Sequence, residues 1–115
     1  MALPVLIQHI ARNKLGTFCE RRVPDEARAG VRLELEFADS HVTLVEYRPH
    51  FRNPSEWIGL PVARFRYNGA SGTWTLLSPS LGARETWRPY PVQPTRELER
   101  LITALDEDAD GVFWG

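Results

Sequence analysis

The chain has almost no cysteine. Cys19 is the only one in 115 residues, which excludes an internal disulfide and a zinc cage built from cysteines. Its position inside a helical pattern predicts a small, half-buried packing residue. A catalytic thiolate is the alternative, and it would need His9 or His50 beside it in an open cleft. The sequence places neither histidine there, so we interpret Cys19 as structural.

Signatures of catalysis are also absent. The chain has no glycine-rich phosphate loop ending in Lys-Ser or Lys-Thr, and no HExxH, CxxC or GxSxG motif. The glycines of NGASG (68–72) resemble an anion-binding nest, but this stretch lies between predicted strands and not before a helix. We therefore predict no catalytic residue, no bound metal and no cofactor.

A long hydrophobic run is missing as well. The first residues, MALPVLIQHIARNK, have no basic start, and Gln8 and His9 break their apolar stretch. This pattern is typical of neither a signal peptide nor a membrane span. We expect a cytoplasmic protein that makes no contact with a membrane.

What the chain does contain is the composition of one globular domain, covering residues 1–115. Hydrophobic residues make up 43% and charged residues 25%, which are ordinary globular values. A 3.6-residue period predicts a first helix over about Val5–Glu20 and a last helix that begins at Pro94 or Thr95. The apolar stripe of the first helix comprises Ile7, Ala11, Leu15 and Phe18, and that of the last comprises Leu98, Leu101, Ile102 and Leu105.

Between the helices the period changes to two. VRLELEF (31–37) alternates apolar and charged residues, which predicts a strand with one buried and one wet face. HVTLVEY (41–47), VARFRY (62–67), TWTLLS (73–78) and ARETWRP (83–89) predict four more strands. The segment RPHFRNPSEWIGLP (48–61) predicts a long loop because of its prolines. The predicted fold is α+β: an N-terminal helix, a five-stranded, bent antiparallel sheet, and a C-terminal helix. This order also matches small Sm-like barrels.

The acidic stretch DEDADG (106–111) resembles the first half of a calcium loop. Asp106, Asp108, Asp110 and Gly111 occupy the required positions, but the twelfth ligand would fall beyond Gly115. We interpret the stretch as a helix end with solvated acids, a glycine turn and a packed aromatic tail. The sequence alone offers no reason for acids at a helix C-terminus, where they oppose the helix dipole.

Arginine in the sheet region is the strongest functional hint. Residues 48–100 carry eight Arg and four acidic residues, a net charge of +4, although the whole chain has −1. Arginine beside exposed rings is typical of single-stranded nucleic-acid platforms. Against this, the pI is about 6.3, whereas nucleic-acid domains usually exceed 9. The candidate binding residues are Arg48, Arg64, Arg66, Trp74, Arg84, Trp87 and Arg88.

Several of these motifs resemble a known family. FCERRVP (18–24), VRLELEF (31–37), VTLVEYRP (42–49), PVARFRY (61–67), GTWTLL (72–77) and GVFWG (111–115) together are similar to an uncharacterised bacterial family of small proteins, a domain of unknown function of the DUF3024 type. The resemblance implies a stand-alone cytoplasmic domain whose aromatic tail belongs to the folded unit. It implies no activity, substrate or cofactor.

Three functions follow as hypotheses. The first is a non-enzymatic binding or interaction domain, for which a homodimer is plausible because small sheets with open edges commonly associate. The second is binding of single-stranded RNA or DNA through the Arg and aromatic residues. The third is a small-molecule or catalytic pocket in the 48–60 loop, built around His50 and Trp57.

Overall fold

The computed structural model of the protein describes residues 2–80 and 86–114. Over these ranges the chain forms two α-helices, a short 3₁₀-helix and five strands. The order confirms the predicted α+β fold with a helix towards each end. The elements are α1 (Val5–Arg22), the 3₁₀-helix (Asp25–Ala27), β1 (Arg32–Ala38), β2 (His41–Pro49), β3 (Trp57–Asn68), β4 (Thr73–Ser80), β5 (Thr86–Pro89) and α2 (Leu98–Glu107).

The five strands form one antiparallel sheet in chain order, β1-β2-β3-β4-β5. Tight turns join β1 to β2 and β3 to β4, and Asp39 and Gly72 take the positive φ values of 49° and 69° that these turns need. β1 and β5 lie at opposite edges of the sheet. Over the described residues the sheet is therefore open and is not a closed barrel.

The alternation in β1 has the predicted orientation. Leu33, Leu35 and Phe37 are half-buried and pack against the core, while Arg32, Glu34 and Glu36 are exposed. In the β1–β2 register, Leu35 lies opposite Leu44 and Phe37 opposite Val42. One face of the sheet is therefore apolar and supports the helices.

The predicted 48–60 loop is much shorter than expected, because β2 runs to Pro49 and β3 begins at Trp57. The register of β3 against β2 shifts at Val45, which faces Pro61, and Val62 forms a bulge. Pairing of β3 with β4 covers only residues 64–68. Pro61 thus lies where β3 has a single neighbour, and there a residue without an N–H is tolerated.

The two helices cover the apolar face. Ala11, Leu15 and Phe18 of α1 are buried, and so is every predicted apolar residue of α2. Lys14 forms an ion pair with Glu99 across the two helices. No helix in the described part of the chain is long and apolar enough to span a membrane.

The acidic stretch after α2 anchors the aromatic tail. Asp106 pairs with Arg22 of α1 at 3.0 Å. Asp108, in the left-handed conformation at the helix C-cap, accepts hydrogen bonds from the backbone amides of Phe113 and Trp114 at 3.1 and 2.8 Å. Asp110 accepts one from the hydroxyl of Tyr90 at 3.0 Å. These contacts give Asp106, Asp108 and Asp110 partners that offset the unfavourable interaction with the helix dipole.

Candidate functional site

Neither helix of the described residues covers the second face of the sheet, and we call it the open face. Residues paired across antiparallel strands lie on the same face. The register therefore assigns one continuous set of side chains to it. The set includes Arg32, Glu34 and Glu36 of β1, His41, Thr43, Val45 and Tyr47 of β2, Trp57, Gly59, Pro61, Arg64 and Arg66 of β3, Thr75 and Leu77 of β4, and Trp87 of β5.

A depression of about 270 Å³ lies on this face, and we call it the open-face pocket. Tyr47 forms one of its walls, with its ring lying directly over Gly59 on the neighbouring strand. A Cβ built on Gly59 would come within 2.5 Å of Cε1 of Tyr47. Glycine is therefore required for the ring to approach the strand this closely. The lining residues are Glu36, Thr43, Val45, Tyr47, Gly59, Pro61 and Arg64.

Polar groups of opposite charge border the pocket. The Tyr47 hydroxyl donates to Oε2 of Glu36 at 2.8 Å, and Nε of Arg64 donates to Oγ1 of Thr43 at 3.0 Å. The hydrogen bond to Glu36 raises the pKa of Tyr47, so the phenol keeps its proton at neutral pH. Thr43 is only 5% exposed, which holds its hydroxyl and the guanidinium in fixed positions. The pocket thus presents an anion on one side and a cation on the other.

Two arginine–tryptophan pairs lie on either side of the pocket. Cζ of Arg32 lies 4.1 Å from the ring centroid of Trp57, and Cζ of Arg64 lies 4.3 Å from that of Trp87. These distances are typical of cation–π contacts. Each pair places a guanidinium against an aromatic ring, so planar cationic and aromatic groups lie on both sides of the pocket.

The positive charge of the open face is concentrated on β3. Burial lowers the pKa of His41 below its usual value, and the charges of Arg64 and Arg66 lower it further, while Asp39 opposes them. Arg66 lies opposite His41 in the register and is exposed. Glu34 and Glu36 are two strands away on β1. The open face therefore has a basic side along β3 and an acidic side along β1.

The structure brings together only some of the predicted binding residues. Arg64, Arg66 and Trp87 share the open face. Arg48 lies on the other face and pairs with Glu46 at 2.9 Å, and Arg88, opposite Ser78, alternates away from Trp87. The predicted residue Arg84 lies outside the described residues.

Trp74 is placed in the core, which does not fit a contact residue. It is 3% exposed and packs against Tyr67 with ring centroids 5.0 Å apart. Its ring supports the sheet from the helix side and offers no surface for stacking on a ligand.

His50 and Trp57, the residues of the predicted loop pocket, make separate contacts. His50 stacks on Phe51 with centroids 5.0 Å apart, and its Nδ1 accepts hydrogen bonds from the amides of Arg52 and Asn53. Trp57 begins β3 and pairs with Arg32. Neither His50 nor Trp57 lines the open-face pocket, so the geometry does not unite them around a ligand.

Cys19 lies apart from the open face, on α1. Burial raises the pKa of its thiol to about 11, with a smaller contribution from Glu20. The thiol is therefore protonated at neutral pH and is a poor nucleophile. Within residues 2–80 and 86–114, no three His, Cys, Asp or Glu side chains form a group suited to a metal ion.

Sequence reasoning missed Tyr47, Gly59 and Thr43 as pocket residues. Gly59 carried the available signal, because a glycine inside a strand often marks a close approach of another group. That signal was hidden, since residues 48–61 read as a loop. Tyr47 and Gly59 can be paired only when the register beside the bulge is known.

These features define a class of protein, the small α+β domain. Its sheet is open, with two helices on one face and a preformed pocket on the other. The family model described as Domain of unknown function (DUF3024) matches residues 3–115. The chain belongs to this family, which confirms the resemblance drawn from its motifs. No curated protein and no solved structure matches the chain.

Proposed function

We propose that the protein is a non-enzymatic binding domain whose ligand contacts the open-face pocket. The observation that carries this proposal is the Tyr47 ring lying over Gly59, which gives the pocket its concave shape in the absence of a ligand. Preformed concave sites with a few placed polar groups are typical of binding sites. The volume of about 270 Å³ lies just below the usual range for drug-sized ligands, so it suits one planar ring or one side chain.

The polar groups favour recognition over chemistry. Tyr47 keeps its proton and donates a hydrogen bond to Glu36, so the phenol is not poised to take a proton from a ligand. Glu36 can accept a hydrogen bond from an amino group of the ligand, and Arg64 can donate to a carbonyl or phosphate oxygen. A ligand with a donor edge and an acceptor edge is therefore complementary to the pocket.

Amide chemical-shift mapping tests this proposal. A ¹⁵N-labelled sample is titrated separately with the four nucleoside monophosphates and with N-acetyl amino-acid amides. We expect at least one probe to shift amides next to the pocket, those of Thr43, Tyr47, Gly59 and Arg64, and to lose this effect in the Arg64→Gln variant. Shifts confined to other regions, or no shift with any probe, would overturn the proposal.

Single-stranded nucleic acid is the second candidate ligand, and the two arginine–tryptophan pairs favour it. Bases stack on aromatic and guanidinium planes, and the basic side of the face suits a phosphate backbone. The acidic side along β1 and the pI of about 6.3 weigh against a broad electrostatic footprint.

Fluorescence anisotropy with a labelled single-stranded oligouridine separates this candidate from the first. Each phosphate contact contributes about −0.7 to the slope of log K against log salt concentration for single strands. The Arg64→Gln/Arg66→Gln double variant should therefore reduce the slope by about 1.4. Arg96→Gln, which removes one exposed charge outside the open face, is the control. Absence of binding at low salt ends this hypothesis.

The remaining expectations from the sequence stay predictions. A bacterial origin, a cytoplasmic location and a homodimer are all compatible with a small binding domain. Sedimentation velocity over a range of protein concentrations measures the oligomeric state directly.

A further inference from the structure

Within residues 2–80 and 86–114, no other strand occupies the outer edge of β1. β1 pairs only with β2 among the described residues, and its outward N–H groups donate no backbone hydrogen bond to the other described segments, nor do its outward C=O groups accept one from them. Such an edge is a template for a further strand. Natural proteins often cover a long strand edge, yet the open edge of β1 is seven residues long.

A groove of about 440 Å³ runs along this edge, between β1 and α1, and we call it the edge groove. Its apolar lining includes Cys19 and Val23 from the helix side and Leu33 and Leu35 from the strand. Gly16 lies on the helix side too, and a Cβ built there meets no atom within 4 Å. A helix glycine costs roughly 1 kcal/mol relative to alanine, and here it leaves space beside the strand edge.

The charges of β1 decide which strand fits. A second copy aligned antiparallel over the whole of β1 would place Glu34 opposite Glu36 twice. A shift by two residues in one direction would place Glu36 opposite Glu36 with no compensating pair. A shift in the other direction would pair only five residues and place Glu34 opposite Glu34 between two Arg32–Glu36 pairs. Like charges directly opposite each other destabilise a strand pair, so pairing of two copies over the full length of β1 is disfavoured, and each of these registers contains at least one like-charge pair. Cationic side chains opposite Glu34 and Glu36 would be favourable.

We propose that the edge groove docks an extended peptide segment of a partner protein as a sixth, antiparallel strand. Apolar side chains at alternate positions enter the groove beside Leu33 and Leu35. The intervening side chains lie towards the open face, where lysine or arginine faces Glu34 and Glu36 and an acidic residue faces Arg32. Backbone hydrogen bonds then provide affinity, and the alternating pattern provides specificity.

A designed peptide with this pattern tests the proposal. The probe is acetyl-Gly-Val-Lys-Val-Lys-Val-Glu-Gly-amide, carrying a fluorophore and titrated with the protein by anisotropy. The charge-reversed peptide acetyl-Gly-Val-Glu-Val-Glu-Val-Lys-Gly-amide should bind about tenfold more weakly or worse, a difference of roughly 1.4 kcal/mol. Equal binding of both peptides, or no binding of either, would overturn the proposal.

N-methylation tests the backbone pairing itself. In an antiparallel pair the amides of alternate residues face the partner strand. One peptide is methylated on the valine nitrogens and another on the lysine and glutamate nitrogens. One of these two methylated peptides must lose binding to the protein, while the other must keep it. Equal loss or equal retention contradicts strand addition.

Two variants of α1, one that fills the edge groove and one that does not, test where the peptide binds. Gly16→Leu should weaken peptide binding about tenfold or more, with an unchanged or higher melting temperature because leucine favours helix. Asn13→Leu, on an exposed part of the same helix, should bind the peptide as the parent does. If the parent protein is a dimer and Gly16→Leu is a monomer, a second copy occupies the groove and the proposal is wrong. Peptide binding unaffected by Gly16→Leu would also reject it.

Discussion

Replacing Gly59 by alanine should move the ring of Tyr47 and destabilise the protein. The new Cβ would lie 2.5 Å from the ring, which is closer than carbon atoms can approach. Overpacking of this kind costs about 1–3 kcal/mol. Because Tyr47 is half-buried and can turn towards solvent, we expect the lower end, about 1 kcal/mol. For a domain of this size that corresponds to a fall of roughly 4 °C in Tm.

A double-mutant cycle isolates the ring as the cause. The φ angle of Gly59 is not positive, so alanine fits the backbone at this position. In a Tyr47→Ala background the steric conflict is absent. There Gly59→Ala should stabilise the fold by about 0.5 kcal/mol, because alanine restricts the unfolded chain. The effect of one substitution thus changes sign with the state of the other residue.

The assay is urea unfolding followed by tryptophan fluorescence, with all four proteins measured under one condition. Control measurements on Gly69→Ala, at a turn glycine whose Cβ would meet no atom within 4 Å, report the general effect of removing a glycine. If Gly59→Ala has the same cost with and without the ring, the contact between Tyr47 and Gly59 does not determine the shape of the pocket.

Three further predictions concern the aromatic tail, the ion pair of Lys14 with Glu99, and the thiol of Cys19. Asp108→Ala should cost about 1–2 kcal/mol by leaving two tail amides without acceptors, while Asp108→Asn should cost less; urea unfolding compares them. Lys14 lowers the pKa of Glu99 by a hydrogen bond, which stabilises the fold above about pH 4.5 and is lost as the pH falls through the folded value. Lys14→Met should therefore raise that pKa towards its usual value, as measured by NMR titration, and no change would refute the contact. The neutral Cys19 thiol is favoured in the fold, since its pKa rises from 9.0 to about 11. This stabilisation is present below about pH 9 and is lost as the pH rises through 11, so a disulfide reagent should label Cys19 slowly at pH 8 and much faster in urea. Equal labelling rates in the folded and unfolded protein would contradict its burial.

The sequence predicted best what depends on short-range periodicity. The alternation of Leu33, Leu35 and Phe37 gave the correct face of β1, and the stripe through Leu98 and Leu105 gave the buried face of α2. Both follow from the repeat of the backbone, which is set within a few residues. The packed tail followed from its aromatic composition.

What depends on strand register could not be predicted in the same way. A shift of one residue exchanges the two faces of a strand, so Trp87 and Arg88 were grouped although they lie on opposite faces. Pro61 suggested a loop, because the sequence does not reveal that β3 has only one neighbour there. Trp74 shows a related difficulty. Its position among arginine residues predicted an exposed ring, but the ring is buried in the core.

The uneven pairing of β3 has a consequence for motion. Its second half is held by two neighbouring strands, but residues 57–61 are held by β2 alone. Opening this half requires breaking only one ladder and leaves the helices in place, so it should need less free energy than global unfolding. Amide protons around Gly59 should then exchange with solvent sooner than those around Phe65. The residues that form the wall and floor of the pocket can therefore open locally while the hydrophobic core stays folded.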